Sequence, residues 1–259
     1  MMPARSLLLL AWSLFYSGTE GVGATVNYAD QTASVFHFSQ INEVSPLGTF
    51  LGNASGPAGS PTPLALTDSL GVDSLGFSPS ANLAVAASGN PASSYALSKF
   101  SFHISSPSNA YITDLKITLR GTYKINNNPL PTDRATIFLD TEVFLEAFSN
   151  LGALPSGPAQ TARYQFPKQT WTEATASSTE WSLQWDANLA SIFSAPTMNV
   201  TKINLSITPD IFLLAENFGS GNLFLNQMTV AVIPEPNTGT LLLLGFAPLL
   251  RKRRGSTSS

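Results

Sequence analysis

From Tyr95 onward, apolar and polar side chains alternate with a period of two along much of this chain, and that pattern points to β-structure. In YALSKFSFHI (Tyr95 to Ile104), Ala96, Ser98, Phe100, Phe102 and Ile104 fall on one side. Tyr95, Leu97, Lys99, Ser101 and His103 fall on the other. DLKITLRGTYKI (Asp114 to Ile125) sets Leu115, Ile117 and Leu119 against Lys116, Thr118 and Arg120. NVTKINLSI (Asn199 to Ile207) repeats the pattern with Thr201, Ile203, Leu205 and Ile207. Further strands are expected at Ser34 to Phe38, Asn82 to Ala87, Ala135 to Phe148, Arg163 to Phe166, Glu180 to Trp185, Asp210 to Ala215 and Asn226 to Val232. The helical period is nearly absent. One short helix is expected over Asp186 to Ser194, capped by Asp186 or Asn188.

About ten strands joined by Gly, Pro and Asn turns predict an all-β fold, a β-sandwich of jelly-roll type. The stretch from Ser45 to Ser94, rich in Gly, Pro, Ser and Ala, reads as long loops between short strands. No internal repeat at a fixed period appears, which disfavours a solenoid or propeller. Charged residues make up 11% of the chain, which separates it from charge-rich disordered and coiled-coil proteins. There is no cysteine, hence no disulfide, thiolate metal site or Cys nucleophile, and the two histidines, His37 and His103, supply little for a metalloenzyme.

Both ends read as targeting segments. Arg5 precedes the apolar run Leu7 to Tyr16, and small residues Val22 and Ala24 stand where signal peptidase requires them, so residues 1–24 are read as a secretory signal peptide cleaved after Ala24. At the other end, Pro234-Glu235-Pro236 precedes NTGTLLLLGFAPLL (Asn237 to Leu250) and the cations Arg251, Lys252, Arg253 and Arg254. Two prolines around a glutamate are expected to interrupt regular structure and leave an extended, protease-accessible segment. The leucine run would enter the bilayer as a short transmembrane helix, and the basic cluster would stop transfer. Fourteen residues at ~1.5 Å each give about 21 Å, short of the ~30 Å hydrocarbon core, so the anchor is marginal, as suits a temporary one.

This ordered set of Pro-Glu-Pro, a Leu/Gly-rich segment and a terminal Arg cluster resembles the PEP-CTERM sorting signal of diderm bacteria. The resemblance rests on Pro234 to Arg254, with GSTSS trailing the basic cluster, makes residues 233–259 the sorting segment, and implies recognition by an exosortase, a membrane-embedded Cys transpeptidase-like enzyme. It also implies an inner-membrane intermediate, then release to the cell surface or to an extracellular matrix containing exopolysaccharide. The exported body is then 25–232. It carries eight basic and fourteen acidic residues, a net charge of −6, with no basic stripe for nucleic acid.

Candidate chemistry inside the body is sparse. Asp140, Glu142 and Glu146 share a strand face with Phe138, Phe144 and Phe148. A glycoside-active enzyme would need Asp140 or Glu142 to meet a second carboxylate across a cleft; a solvated strand face is the simpler reading. Trp181 and Trp185 flank Leu183 on one strand face, and Trp171 lies ten residues earlier. The three could form a carbohydrate-binding platform or part of the core. Calcium would suit oxygen donors such as Asp68, Asp73, Asp133 and Asp140, although no loop has the spacing of a calcium motif. No catalytic motif is present. The expectation is a non-enzymatic exported protein with a structural or adhesive role against exopolysaccharide, with a lectin-like module as the alternative.

Overall fold

A computed structural model of the chain describes residues 24–45, 63–77, 83–88, 92–106, 110–127, 134–149, 160–193 and 199–235. In chain order the first strands are β1 (Ala24–Asn27), β2 (Gln31–Thr32), β3 (His37–Ser45), β4 (Leu64–Thr67), β5 (Asp73–Phe77) and β6 (Leu83–Ser88). Then come β7 (Ala92–Leu97), β8 (Lys99–Ser105), β9 (Ile112–Asn126), β10 (Arg134–Ser149), β11 (Gln160–Gln165) and β12 (Gln169–Trp171). The chain continues through β13 (Thr179–Asn188), the one-turn helix α1 (Leu189–Ile192), β14 (Val200–Glu216) and β15 (Ser220–Pro234).

All these strands pair antiparallel in two sheets. The larger runs β1-β3-β8-β14-β10-β11, with β2 beside β3, β7 beside β14 and β12 beside β10. The smaller runs β13-β9-β15-β5-β4, with β6 beside β15. The two sheets form a β-sandwich whose apolar faces meet in one core. The faces read from the sequence are the buried ones, with Val200 and Ser206 buried in addition. Ala96, Ser98, Phe100, Phe102 and Ile104 are buried, as are Leu115, Ile117 and Leu119 and the Thr201, Ile203, Leu205 and Ile207 face of β14. α1 is shorter than expected because β13 runs on to Asn188, whose Oδ1 caps the helix by accepting from the Ser191 N–H at 2.9 Å.

Several boundaries differ from the sequence reading for local reasons. Asn199–Ile207 and Asp210–Ala215 are one strand, β14, which continues across Pro209. The neighbouring chain breaks at that level into β7 and β8, where the ladder accommodates the missing amide. Ser98, at the break, donates its N–H to the Pro209 carbonyl at 3.4 Å and its hydroxyl to the buried Glu43, which also accepts from the Tyr28 hydroxyl at 2.8 Å. The strand expected at Ser34–Phe38 begins only at His37, because a buried carboxylate holds Ser34 to Phe36. Asp73 accepts from the N–H groups of Ser34 (3.2 Å), Val35 (2.6 Å) and Phe36 (2.8 Å), and from the hydroxyls of Ser34 (3.1 Å) and Thr67 (2.6 Å). That knot ties the larger sheet to the smaller one.

The C-terminal motif also departs from expectation. Pro234 does not end regular structure before itself; it is the last residue of β15, opposite Ile112. A register shift between Ile233 and Pro234 absorbs the imino acid at the strand terminus, where no further ladder bond depends on its missing N–H. The folded body therefore extends past residue 232 into the motif. Pro236, the apolar run, the cations Arg251 to Arg254 and residues 1–23 of the segment expected to be a signal peptide lie outside the described residues. Among the described residues, no helix is long and apolar enough to cross a membrane.

Candidate functional site

The tryptophans sit on the inner faces at one margin of the sandwich, where the β13 edge of the smaller sheet meets β11 and β12 of the larger. Trp181 is 8% exposed, and Trp171 and Trp185 are half-buried against the core. Trp185 stacks on Tyr164 of β11 at 4.3 Å with an interplanar angle of 1°, and Trp171 stacks on Tyr123 of β9 at 4.9 Å. Trp171 and Trp181 lie 6.1 Å apart. These rings close a seam between the sheets. The expected alternative of an open Trp171–Trp181–Trp185 platform is corrected at Trp181, which is inside; Trp171 and Trp185 are half-buried, each with a tyrosine stacked on its ring.

The outward face of the larger sheet has a different character. Strands β7, β14 and β10 run side by side, and their register places Tyr95 opposite Phe212 and Phe212 opposite Phe138. Three aromatic side chains thus form one row across three strands. Tyr95 is 39% exposed, and Phe138 and Phe212 are half-buried with ring centroids 6.1 Å apart. The next row holds Asp210 directly opposite Asp140. Lys168 Nζ lies 2.9 Å from Asp140 Oδ2, and Gln165 donates to Asp140 Oδ1 at 2.7 Å. Asp210 is hydrogen-bonded by the Tyr95 hydroxyl. The surface combines apolar ring area with a fixed set of polar acceptors and donors.

Like charges directly opposite one another on neighbouring strands destabilise a sheet. Burial pushes the Asp210 carboxyl up to about 6, and the Asp140 charge adds to the rise, against the Tyr95 hydrogen bond and the Lys168 charge. A carboxyl whose folded value is raised favours the folded state most when it is protonated. Its contribution is complete below about pH 3.9 and is lost as pH climbs through about 6. Asp210→Asn is accordingly expected to raise stability at pH 7.5 by on the order of 2 kcal/mol and to leave it unchanged near pH 3.5. Urea unfolding at the two pH values checks this; an equal effect at both would show that the substitution acts through packing.

Further along the face, Arg163 pairs with Glu142 at 2.9 Å and lies 5.5 Å from the centroid of the Phe144 ring. Asn204 donates to Glu146 at 2.7 Å, and Lys202 lies 5.5 Å from the Phe148 ring centroid. Beside them, burial and the Lys202 charge hold the His103 imidazole below its ordinary value, with Glu146 opposing. Asp140, Glu142 and Glu146 thus do share one strand face, and each has a polar partner. Asp140 has a second carboxylate beside it, but the two project side by side from adjacent strands of one sheet. Flanking a glycosidic bond requires carboxyls on either side of it.

The remaining candidates have structural employment. Asp68 Oδ1 accepts from the Leu70 and Val72 N–H groups at 2.8 and 2.9 Å, Asp73 serves the knot, and Asp133 lies outside the described residues. Among the described residues no group of three or more His, Cys, Asp or Glu is placed to hold a metal ion. His37 Nδ1 is 2.9 Å from the Thr32 hydroxyl.

Sequence reading missed Tyr95, Phe212 and Asp210 as site residues. A signal was present: Phe138-x-Asp140 and Asp210-x-Phe212 mirror each other, so antiparallel pairing sets ring beside ring and acid beside acid.

No protein-family model and no curated protein matches the chain. Among solved structures, TmCBM61 in complex with beta-1,4-galactotriose aligns at 7% identity over 85% of this chain and 94% of that one, with a TM-score of 0.19. A xylan-binding module, CBM15, aligns at 11% identity over 83% and 99%, with a TM-score of 0.23. The enzymatically active domain of bacteriophage CBA120 tailspike protein 4 aligns at 10% identity over 82% of this chain, which spans 19% of that longer protein, with a TM-score of 0.22. These superpositions are loose, and the sandwich architecture stands on its own hydrogen-bonded ladders.

Proposed function

We propose that this chain is an exported, non-catalytic polysaccharide-binding β-sandwich, and that the outward face of its larger sheet is the binding surface. The observation that carries the reading is the row Tyr95–Phe212–Phe138 lying beside the row Asp210–Asp140. Flat rings offer apolar area to the C–H faces of sugars, while carboxylates, Gln165 and Lys168 exchange hydrogen bonds with hydroxyls. Neighbouring strands are ~4.8 Å apart, so the outer two rings stand about 10 Å apart. That row suits an extended glycan crossing the strands. The finer architecture belongs to the same reading: the order β8-β14-β10-β11 facing β5-β15-β9-β13 supports a jelly roll, two interleaved Greek keys.

Delivery is the other half of the proposal. A signal peptide removed by signal peptidase and a PEP-CTERM tail read by exosortase would carry the sandwich through an inner-membrane intermediate to the cell surface or extracellular matrix, where exopolysaccharide is the partner. A structural or adhesive role in the matrix completes this reading.

Affinity electrophoresis of the purified protein through gels containing xylan, galactan, mixed-linkage glucan or the producing cell's own exopolysaccharide tests the binding face. Retardation is expected with at least one polymer. Phe212→Ala and Phe138→Ala should each weaken it by about tenfold, the scale of losing one stacked ring. Trp185→Phe should leave it unchanged, because that ring serves the seam. Retardation that survives both phenylalanine substitutions, or none in any polymer, would sink the proposal.

A further inference from the structure

The Pro-Glu-Pro motif is partly folded into the sandwich. Pro234 ends β15 opposite Ile112 of β9, which is 2% exposed. The Thr113 hydroxyl donates to the Ile233 carbonyl at 3.2 Å, and the Glu235 N–H donates to the Tyr111 carbonyl at 2.9 Å. On its other side, β15 pairs with β5 only as far as Val232. Among the described residues, Ile233 to Glu235 are therefore held from one side, by Tyr111 and the start of β9.

We infer that the folded sandwich masks its own sorting motif, and that the end of β15 must peel from β9 before the motif can be processed. This rests on the reading of the tail as a sorting signal. Enzymes that cut or transfer peptide segments commonly bind them as extended strands through backbone hydrogen bonds. The Glu235 amide already spends its bond on Tyr111. The short reach strengthens the point: even with Asn237 to Thr240 counted outside the bilayer rather than in the span, the five residues from Pro236 to Thr240 reach at most about 17 Å fully extended. With Ile233 to Glu235 attached to the sheet, an enzyme in the bilayer meets the sandwich before it can surround the motif. Detachment adds three residues of reach, and the one-sided attachment makes it a local opening rather than unfolding.

Pulse-chase of the full chain in the organism that makes it, with mass spectrometry of the mature C-terminus, tests the mask. Thr113→Val removes one tie and is expected to speed processing by up to about fivefold, the population change of one lost hydrogen bond. A short Gly/Ser spacer inserted between Ile233 and Pro234 frees the motif without altering the body and should speed it at least as much. The triple substitution Pro234→Ala, Glu235→Ala, Pro236→Ala should stop processing. Wild-type rates in the first two variants, with the third blocked, would overturn the mask and leave the sorting signal standing. Normal processing of the third would overturn both. Hydrogen exchange gives an independent reading: the Glu235 amide should be protected in the parent and exposed in the spacer variant, and free exchange in the parent would also overturn the mask.

Discussion

Asp73→Asn is expected to remove about 3–5 kcal/mol of stability, seen as a lower urea midpoint at an unchanged slope. The carboxylate is 0% exposed and accepts from three backbone N–H groups and two hydroxyls. Asparagine keeps the shape but turns one acceptor oxygen into a donor facing donors. Keeping its oxygen on the Val35 and Phe36 amides sets the new amino group against the Ser34 N–H, and turning it round orphans Val35 and Phe36 instead. The loss reaches beyond the residue, since the knot fixes the chain entering β3 against β5 and so joins the two sheets at that end.

The same group sets an acid limit. Burial alone would push the Asp73 carboxyl up. The hydrogen bonds from Thr67, Val35, Phe36 and Ser34 outweigh it and hold the carboxyl below its ordinary value of 3.8. A depressed folded value means that the contribution is fully present above about pH 3.9, the unfolded value, and drains away as pH falls through the lower folded one. The parent should therefore lose stability below pH 4 through this group, and the Asn variant should lack that component of the pH dependence. A variant as stable as the parent at pH 7 would show that the knot contributes nothing.

Local periodicity is carried by the sequence, and cross-strand placement is not; the molecule divides along that line. The faces of Tyr95–Ile104, Asp114–Ile125 and Asn199–Ile207 were legible because burial acts on every second residue of a strand. The candidate face was not, because Tyr95, Phe138 and Phe212 come from strands far apart in the chain and meet only through register. The tryptophans show a related limit. Trp181 and Trp185 visibly share a side, but whether that side faces water depends on what the neighbouring strand offers. Here β9 offers Gly121 opposite Trp181, a gap the indole fills. At the C-terminus, proline chemistry pointed to a break before Pro234. The strand reaches it because the residue ending a strand can do without an N–H.

That gap at Gly121 carries the last large effect. A Cβ placed there would lie 2.0 Å from the Phe224 carbonyl oxygen and 2.5 Å from Trp181 Cζ2. Neither neighbour can yield cheaply. The carbonyl belongs to β15 just before the register shift between Leu225 and Gln227, and the indole is wedged against Trp171 at the seam. Trp181 Nε1 has no hydrogen-bond partner among the described residues, so packing alone holds the ring in place. Gly121→Ala is expected to cost about 3–5 kcal/mol, at or beyond the upper end for overpacking, because the obstacle is backbone. Gly76→Ala is the matched control: its nearest neighbour would be the Leu64 carbonyl at 3.8 Å, ordinary contact, so the change should be within about 0.5 kcal/mol. Adding Trp181→Leu to Gly121→Ala tells the two clashes apart. It relieves the indole and leaves the carbonyl, so thermal unfolding should show little recovery. Full recovery would mean that the ring, rather than the β15 backbone, sets the limit on what fits opposite it.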